Sequence, residues 1–159
     1  MTAATFAALY AAVVFAAAFA ALFAAHSFGD HWVQTHTQAC GKGARTAAGV
    51  RACLAHVATL TLTKGAALLA MELVTGLRLS IVAVLIALLV DAASHYWADR
   101  RYTLARLADR LGKGGFYRMG APRPGTDDAP HLGTGAYALD QSWHIGWLFI
   151  AALIIAGGA

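Results

Sequence analysis

The stretch from Ala3 to Asp30 reads AATFAALYAAVVFAAAFAALFAAHSFGD. Residues 3–25 carry no charged side chain, and a helix needs roughly 20 apolar residues to cross the hydrocarbon core of a bilayer. The stretch then ends on His26 and Asp30, which lie four residues apart and therefore on one face of a helix. It predicts a transmembrane helix whose last turns carry a polar stripe, which Gln34 extends by one more turn.

The composition of the whole chain is that of a membrane protein. Of its 159 residues, 59% are hydrophobic and 13% are charged, whereas soluble domains carry about 25% charged residues. Three further apolar runs complete the pattern. We predict an all-α integral membrane bundle that forms one domain over residues 1–159, with four transmembrane helices at about 3–36, 53–74, 77–99 and 137–156 and a long basic loop over 100–136.

The basic residues are concentrated in two of the connecting segments. Ten of the twelve Lys and Arg residues lie within 42–51 or 100–123, and helix alternation puts both segments on one side. Because Lys and Arg accumulate in cytoplasmic loops, we expect both segments inside and both termini outside. Membrane topology thus accounts for the net charge of +4, and no motif for nucleic-acid recognition accompanies it, so we expect no nucleic-acid partner.

Part of the third loop, RRYTLARLADRLGKG, can form an amphipathic helix. Leu104, Leu107 and Leu111 recur in it at helical spacing among arginines. The segment is either a short helix on the membrane surface or a solvated extension of the third span. The sequence leaves both alternatives open.

Polar residues recur at the same end of every predicted membrane helix. They end the first and third helices and begin the second and fourth, so the predicted topology brings all of them to the cytoplasmic side. Ionisable groups inside a membrane are costly, usually face the bundle interior and mark function. The residues are His26, Asp30, His56, His95, Asp99, Asp140 and His144.

These seven converging groups need a compensating partner, which a divalent metal would supply. Imidazole and carboxylate are ligands for zinc, iron and manganese. We expect one or two ions, with zinc first and iron or manganese as alternatives. The four histidines would be ligands, and Asp30, Asp99 and Asp140 would be ligands or the general base. Two other interpretations stay open: a buried His–Asp hydrogen-bond network that specifies packing, and a proton or ion pathway.

Five further polar residues are candidates for holding the substrate. Gln34 would orient a ligand or substrate, or cap the helix. Lys64 lies deeper than the cluster, where it either pairs with a buried acid, Asp91 or Glu72, or holds an anionic group. The remaining candidates are Arg100 and Arg101, either of which could hold an anionic headgroup, and Gln141.

The order of these motifs resembles that of a bacterial family of small integral membrane proteins of unassigned function. The shared pattern is H-x3-D-x3-Q, then a His in the second helix, then H-x3-D with a basic residue following, then D-Q-x2-H. It is matched by His26/Asp30/Gln34, His56, His95/Asp99/Arg101 and Asp140/Gln141/His144. The resemblance covers nearly the whole chain and is weaker over the third loop, which is longer here. A more distant, class-level similarity to bacterial inner-membrane proteins described as metal-dependent hydrolases implies a metal and hydrolysis.

We therefore predict a metal-dependent hydrolase in the bacterial inner membrane. It would act at the cytoplasmic face on a lipid-linked or amphiphilic substrate, because the site lies at the depth of the membrane surface, and membrane lipid would be its partner. One alternative is a di-iron-type membrane oxidoreductase, since carboxylate–histidine sites on four helices suit that chemistry, although the ExxH pattern of ferritin-like proteins is absent. The other is a non-enzymatic metal or proton transporter. The sequence does not indicate an oligomeric state.

Overall fold

A computed structural model describes residues 2–122 and 133–159 of the chain. Within these ranges the protein is all-helical, and four helices are long and apolar enough to cross a membrane. The prediction of an all-α bundle with four transmembrane helices is confirmed. Arg123 of the basic segment and His131 of the predicted loop lie outside the described ranges. The helices are α1 (Ala3–Phe28), which continues into a π-helical turn (Gly29–Val33), α2 (His36–Gly41), α3 (Ala47–Thr75), α4 (Ile81–Asp99), α5 (Tyr102–Arg110), α6 (Gly114–Tyr117) and α7 (Gly135–Gly157).

The long helices begin at hydroxyl side chains that cap the free backbone N–H groups of the first turn. Thr46 accepts a hydrogen bond from the backbone of Gly49 at the start of α3, and Ser80 and Thr134 cap α4 and α7 in the same way. Gly76, with a φ of 73°, ends α3 in the left-handed conformation that favours glycine. These caps move the boundaries from the predicted 53–74, 77–99 and 137–156, because a helix does not have to start or stop where its apolar run does.

The first helix ends earlier than the predicted residue 36. Gln34 is extended, with a ψ of 127°. Thr35 then starts α2 by accepting from the backbone N–H of Gln38, whose side chain accepts from the backbone N–H of Thr35. This reciprocal capping box begins a new helix. Gln34 therefore lies beyond the helical stripe of His26 and Asp30, which corrects the prediction of a continuous stripe.

The half of the bundle remote from the histidines contains an apolar core. Small side chains such as Ala18, Ala87 and Ala151 are fully buried there, which lets the helix backbones approach closely. Large apolar side chains cover the outside of the bundle: Leu73 is 75% exposed and Val74 is 87% exposed. An apolar core together with an apolar outer surface is the pattern that a lipid environment requires.

The amphipathic segment after α4 forms a helix of its own. α4 ends at Asp99, and Arg101 has a φ of 57°, which breaks the helical path before α5 begins. The alternative of an uninterrupted extension of the third span is therefore wrong. α5 buries Leu104 and Ala108 and exposes its arginines, as an amphipathic helix should. That it lies on a membrane surface stays a prediction.

Candidate metal centre

The seven predicted ligands converge at one end of the bundle. They come from the end of α1 with its π-helical turn, the end of α4 and the first turns of α3 and α7. The four histidines are buried, with exposed fractions of 0–3%. The structure therefore brings together His26, Asp30, His56, His95, Asp99, Asp140 and His144.

Asp30, His56, His95 and Asp99 form the tighter part of the cluster. The Nε2 atom of His56 lies 3.0 Å from Oδ1 of Asp30 and 3.3 Å from Oδ2 of Asp99. The Nε2 atom of His95 lies 3.1 Å from that of His56 and 3.1 Å from Oδ2 of Asp99. Two nitrogens and two oxygens from three helices thus meet beside one another.

These spacings fit a metal coordination shell. Metal bonds of about 2.0–2.1 Å to nitrogen and oxygen place tetrahedral ligands roughly 3.3 Å apart. Oδ1 of Asp30 and Oδ2 of Asp99 lie 3.0–3.3 Å from an imidazole nitrogen, a spacing that suits a His–Asp hydrogen bond and also two ligands of one ion. Within this cluster, Asp30, His56 and His95 offer ligand atoms close enough to one another to hold a metal ion.

His95, Asp99 and His144 form a second group that can hold an ion, and it shares His95 with the first. The Nε2 atom of His144 lies 4.0 Å from Oδ1 of Asp99 and 3.5 Å from Oδ1 of Asp140. It has no hydrogen-bond partner in the part of the chain that the structure describes. Asp140 is the more accessible acid, with a side chain 27% exposed.

His26 completes the cluster. Its Nε2 atom lies 3.4 Å from Oδ2 of Asp30, and its ring centre lies 5.0 Å from that of His144 and 5.4 Å from that of His95. Neither ring nitrogen has a hydrogen-bond partner within residues 2–122 and 133–159. His26 therefore lies beside the two groups that can hold an ion but belongs to neither of them.

The π-helical turn brings Asp30 to this cluster. Such turns inside α-helices are frequent at functional sites. Gly29, its first residue, packs so closely on Leu60 of α3 that a β-carbon there would collide with the Leu60 side chain. The glycine thus lets α1 approach α3 at the level where Asp30 meets His56.

The sequence analysis missed Lys42 as a member of the site. Its Nζ atom lies 2.8 Å from Oδ1 of Asp99, and its side chain is only 12% exposed. Arg100 fixes this segment by donating to the backbone carbonyls of Lys42 (2.8 Å) and Ala44 (2.5 Å). The sequence carried no signal for Lys42, because a contact 58 residues apart along the chain sets its position.

A cavity of about 500 Å³ adjoins the cluster on the side of the loops. Its wall carries the acids Asp30, Asp99 and Asp140 and the cations Lys42 and Arg101. The cavity therefore offers acceptors for a metal beside donors for an anion. Other polar residues that line it are His31, Gln34, Tyr117, Thr134, Tyr137 and Gln141.

Three of the five predicted substrate-binding residues, Gln34, Arg101 and Gln141, line this cavity. Arg101 also donates to the backbone carbonyl of Ala39 at 3.0 Å, so its guanidinium is held in place. Arg100 is 3% exposed and is engaged with the backbone of the Lys42 segment rather than lining the cavity.

Lys64, the fifth candidate, lies in the membrane-spanning part of α3 and is fully buried. Its Nζ atom lies 2.5 Å from Oδ2 of Asp91. This is one of the two ion pairs that the sequence offered as alternatives to a substrate role. The other acid, Glu72, lies 3.9 Å from the guanidinium of Arg78.

Tyr117 of α6 places a phenol at the cavity. Burial raises the pKa of Tyr117, and the nearby carboxylate of Asp140 raises it further. The hydroxyl therefore stays protonated at neutral pH, and it donates a hydrogen bond to the backbone carbonyl of Arg101 at 3.5 Å. The sequence gave no indication of this role, because α6 packs against α7 only in the folded chain.

Comparison with protein-family models, with curated proteins and with solved structures finds no match for the chain. The resemblance drawn from the motifs therefore stays a prediction. What the fold and the cluster support is a membrane protein with buried His and Asp groups that can hold a metal ion.

Proposed function

We propose that the protein is a metal-dependent membrane hydrolase that acts on a lipid-linked or amphiphilic substrate at the cytoplasmic face of the bacterial inner membrane. The observation that carries this proposal is the presence of two buried His/Asp groups that can hold an ion beside a polar cavity whose wall includes Asp30 and Asp99. A purely structural network of histidines and aspartates would need no such cavity beside its carboxylates.

The histidines would hold the metal, with zinc as the first expectation and iron or manganese as alternatives. A bound divalent ion supplies a water of lowered pKa and polarises the scissile group. Two carboxylates, Asp30 and Asp99, lie closest to the histidine nitrogens and would complete the ligand set.

Asp140 is the best candidate for the general base. It lines the cavity and keeps its side chain 27% exposed, so water and substrate can reach it. The side-chain amide of Gln141 donates to its Oδ2 atom at 3.4 Å, which leaves Oδ1 directed toward His144. An acid with this combination of access and restraint can take a proton from an attacking water.

Lys42 and Arg101 would bind an anionic group of the substrate. Both line the cavity, and both are restrained: Lys42 by Asp99, and Arg101 by the carbonyl of Ala39. A fixed ammonium and a fixed guanidinium favour phosphate over an uncharged ester. A phosphoester is therefore the favoured bond for cleavage.

The transporter alternative needs a polar path through the apolar half of the bundle. In that half, the side chains of Lys64 and Asp91 form an ion pair with each other, and Val14 and Leu68 belong to the apolar core. The oxidoreductase alternative depends on which metal binds. Metal identity measured together with hydrolysis therefore separates the oxidoreductase from the hydrolase.

The test is metal analysis and hydrolysis on one detergent-purified preparation. We expect one or two zinc ions per chain and metal-dependent cleavage of an alkyl p-nitrophenyl phosphate. His56→Ala should lose both metal and activity, whereas His36→Ala, an exposed histidine of α2, should keep both. Two irons per chain without cleavage would favour the oxidoreductase, and a metal-free protein would favour the packing network.

A further inference from the structure

A second, apolar cavity of about 440 Å³ lies between α5 and α7. Leucines of the amphipathic helix α5 form one wall, and the first half of α7 forms the other. Gly146 lies on the α7 wall, where an added β-carbon would meet nothing within 4 Å. The groove is therefore open space. Its large apolar lining residues are Leu104, Leu107, Leu111, Leu139, Trp143, Trp147 and Ile150.

The apolar groove adjoins the polar cavity of the metal centre. Leu104 lines both spaces. On one side of this leucine lie the acids together with Lys42 and Arg101, and on the other side lie leucines and tryptophans. A molecule that filled both spaces would need a charged end and an apolar end.

The groove lies at the end of the bundle where an interface with lipid headgroups is expected. Trp143 stacks on Trp97 with ring centres 4.8 Å apart and donates from Nε1 to the hydroxyl of Ser94 at 2.9 Å. Tryptophans are enriched at membrane–water interfaces. Leu111 at the edge of the groove is 66% exposed. Apart from Lys113 and Ser142, the residues that line the groove are apolar or tryptophan side chains and Gly146, which suits the chain of a lipid.

We propose that the substrate is an anionic membrane lipid with a phosphoester headgroup, and that its acyl chain lies between α5 and α7 while Lys42 and Arg101 hold the phosphate. The cleavage of this lipid rests on the proposed hydrolase function, whereas its binding does not. The occupant of the groove is the chain of that lipid, because the groove adjoins, at Leu104, the polar cavity that would receive the headgroup.

Photo-crosslinking tests the binding without requiring turnover. The probe is a long-chain alkyl phosphate with a diazirine in the chain, added to the full-length protein in detergent, and the labelled residues are mapped by mass spectrometry. We expect labels to concentrate on residues 104–111 and 139–150. An alkyl alcohol of the same chain length should label these residues about tenfold less, since it lacks the charge that the two cations bind.

Gly146→Leu fills the groove without a backbone clash and should reduce this labelling by about tenfold. Gly157→Leu is the matched control, because Gly157 is exposed near the other end of α7 and also has open space around it. It should leave the labelling unchanged. Labels spread evenly over lipid-facing residues such as Leu62 and Leu89 would overturn the proposal. An unlabelled groove, as expected if a second copy of the chain covered it, would overturn it as well.

Hydrolysis measured on the same preparation separates the two proposals. Focused labelling with no cleavage under any of the three metals would support the lipid site and reject the hydrolase. Metal-dependent cleavage with scattered labels would support the hydrolase and reject the chain-binding groove. If Gly146→Leu does not fold, the labelling pattern of the wild-type protein alone decides whether the lipid chain binds in the groove.

Discussion

Removing metal from the His/Asp cluster should lower the melting temperature markedly. The ligands come from all four long helices, so an unfolded or separated set of helices cannot assemble the site. A metal at this cluster would therefore bind the folded state and not the unfolded one. Binding of this kind stabilises the folded state in proportion to the logarithm of ligand concentration over Kd.

The expected size of the effect follows from that linkage. At a free metal concentration about 1,000 times Kd, the folded state gains about 4.1 kcal/mol. For a chain of 150–250 residues, 1 kcal/mol corresponds to roughly 2–4 °C in Tm. Full removal of metal should therefore lower Tm by about 8–16 °C.

The assay is thermal unfolding in detergent of one preparation in three states: metal-loaded, stripped by chelator and reloaded. Elemental analysis confirms each state. His95→Gln keeps hydrogen-bonding capacity but loses the imidazole ligand. Its Tm should therefore lie close to that of the stripped wild type and should not change when chelator is added. His36→Gln, outside the cluster, should behave as the wild type. Equal melting curves for loaded and stripped wild type would refute the claim that a metal holds these helices together.

Three further experiments test the buried Lys64–Asp91 ion pair, the role of Lys42 and the membrane topology. Lys64→Met should destabilise the protein by about 3–5 kcal/mol in a denaturant titration, and adding Asp91→Leu should restore most of it, because half of a buried ion pair is worse than none; a stable Lys64→Met protein without activity would contradict this. Lys42→Met should raise KM for a phosphoester about tenfold and leave an uncharged ester unaffected, whereas an equal loss for both would make Lys42 structural. A C-terminal reporter that is active only in the cytoplasm should be silent, since the basic loops are expected inside, and an active one would reverse the topology.

The convergence of the cluster was predictable because two simple regularities act together. Apolar runs of membrane length fix how the chain crosses back and forth, and four-residue spacing fixes which side chains share a helix face. His26, His95 and His144 each have an aspartate partner at that spacing, and the structure places the members of each pair 3.1–3.5 Å apart. Neither regularity needs any knowledge of how the helices pack.

The missed features depend on contacts between distant parts of the chain. Lys42 enters the site because Arg100 binds its carbonyl, and no local pattern encodes that bond. Gln34 lies outside the helical stripe because the capping box at Thr35 starts a new helix. A search for apolar runs does not detect such a cap. The π-helical turn depends on how closely Gly29 packs against the neighbouring helix. Periodicity cannot report any of these.

The contact between Lys42 and Asp99 also has a consequence for stoichiometry. The wall of the adjoining cavity carries three carboxylates, from Asp30, Asp99 and Asp140, and two cations, Lys42 and Arg101. Their formal charges sum to one negative charge, so one divalent ion would leave one positive charge, and net charge within a membrane protein is expensive. A second divalent ion would leave three positive charges. Electroneutrality therefore favours a single ion accompanied by a singly charged anion.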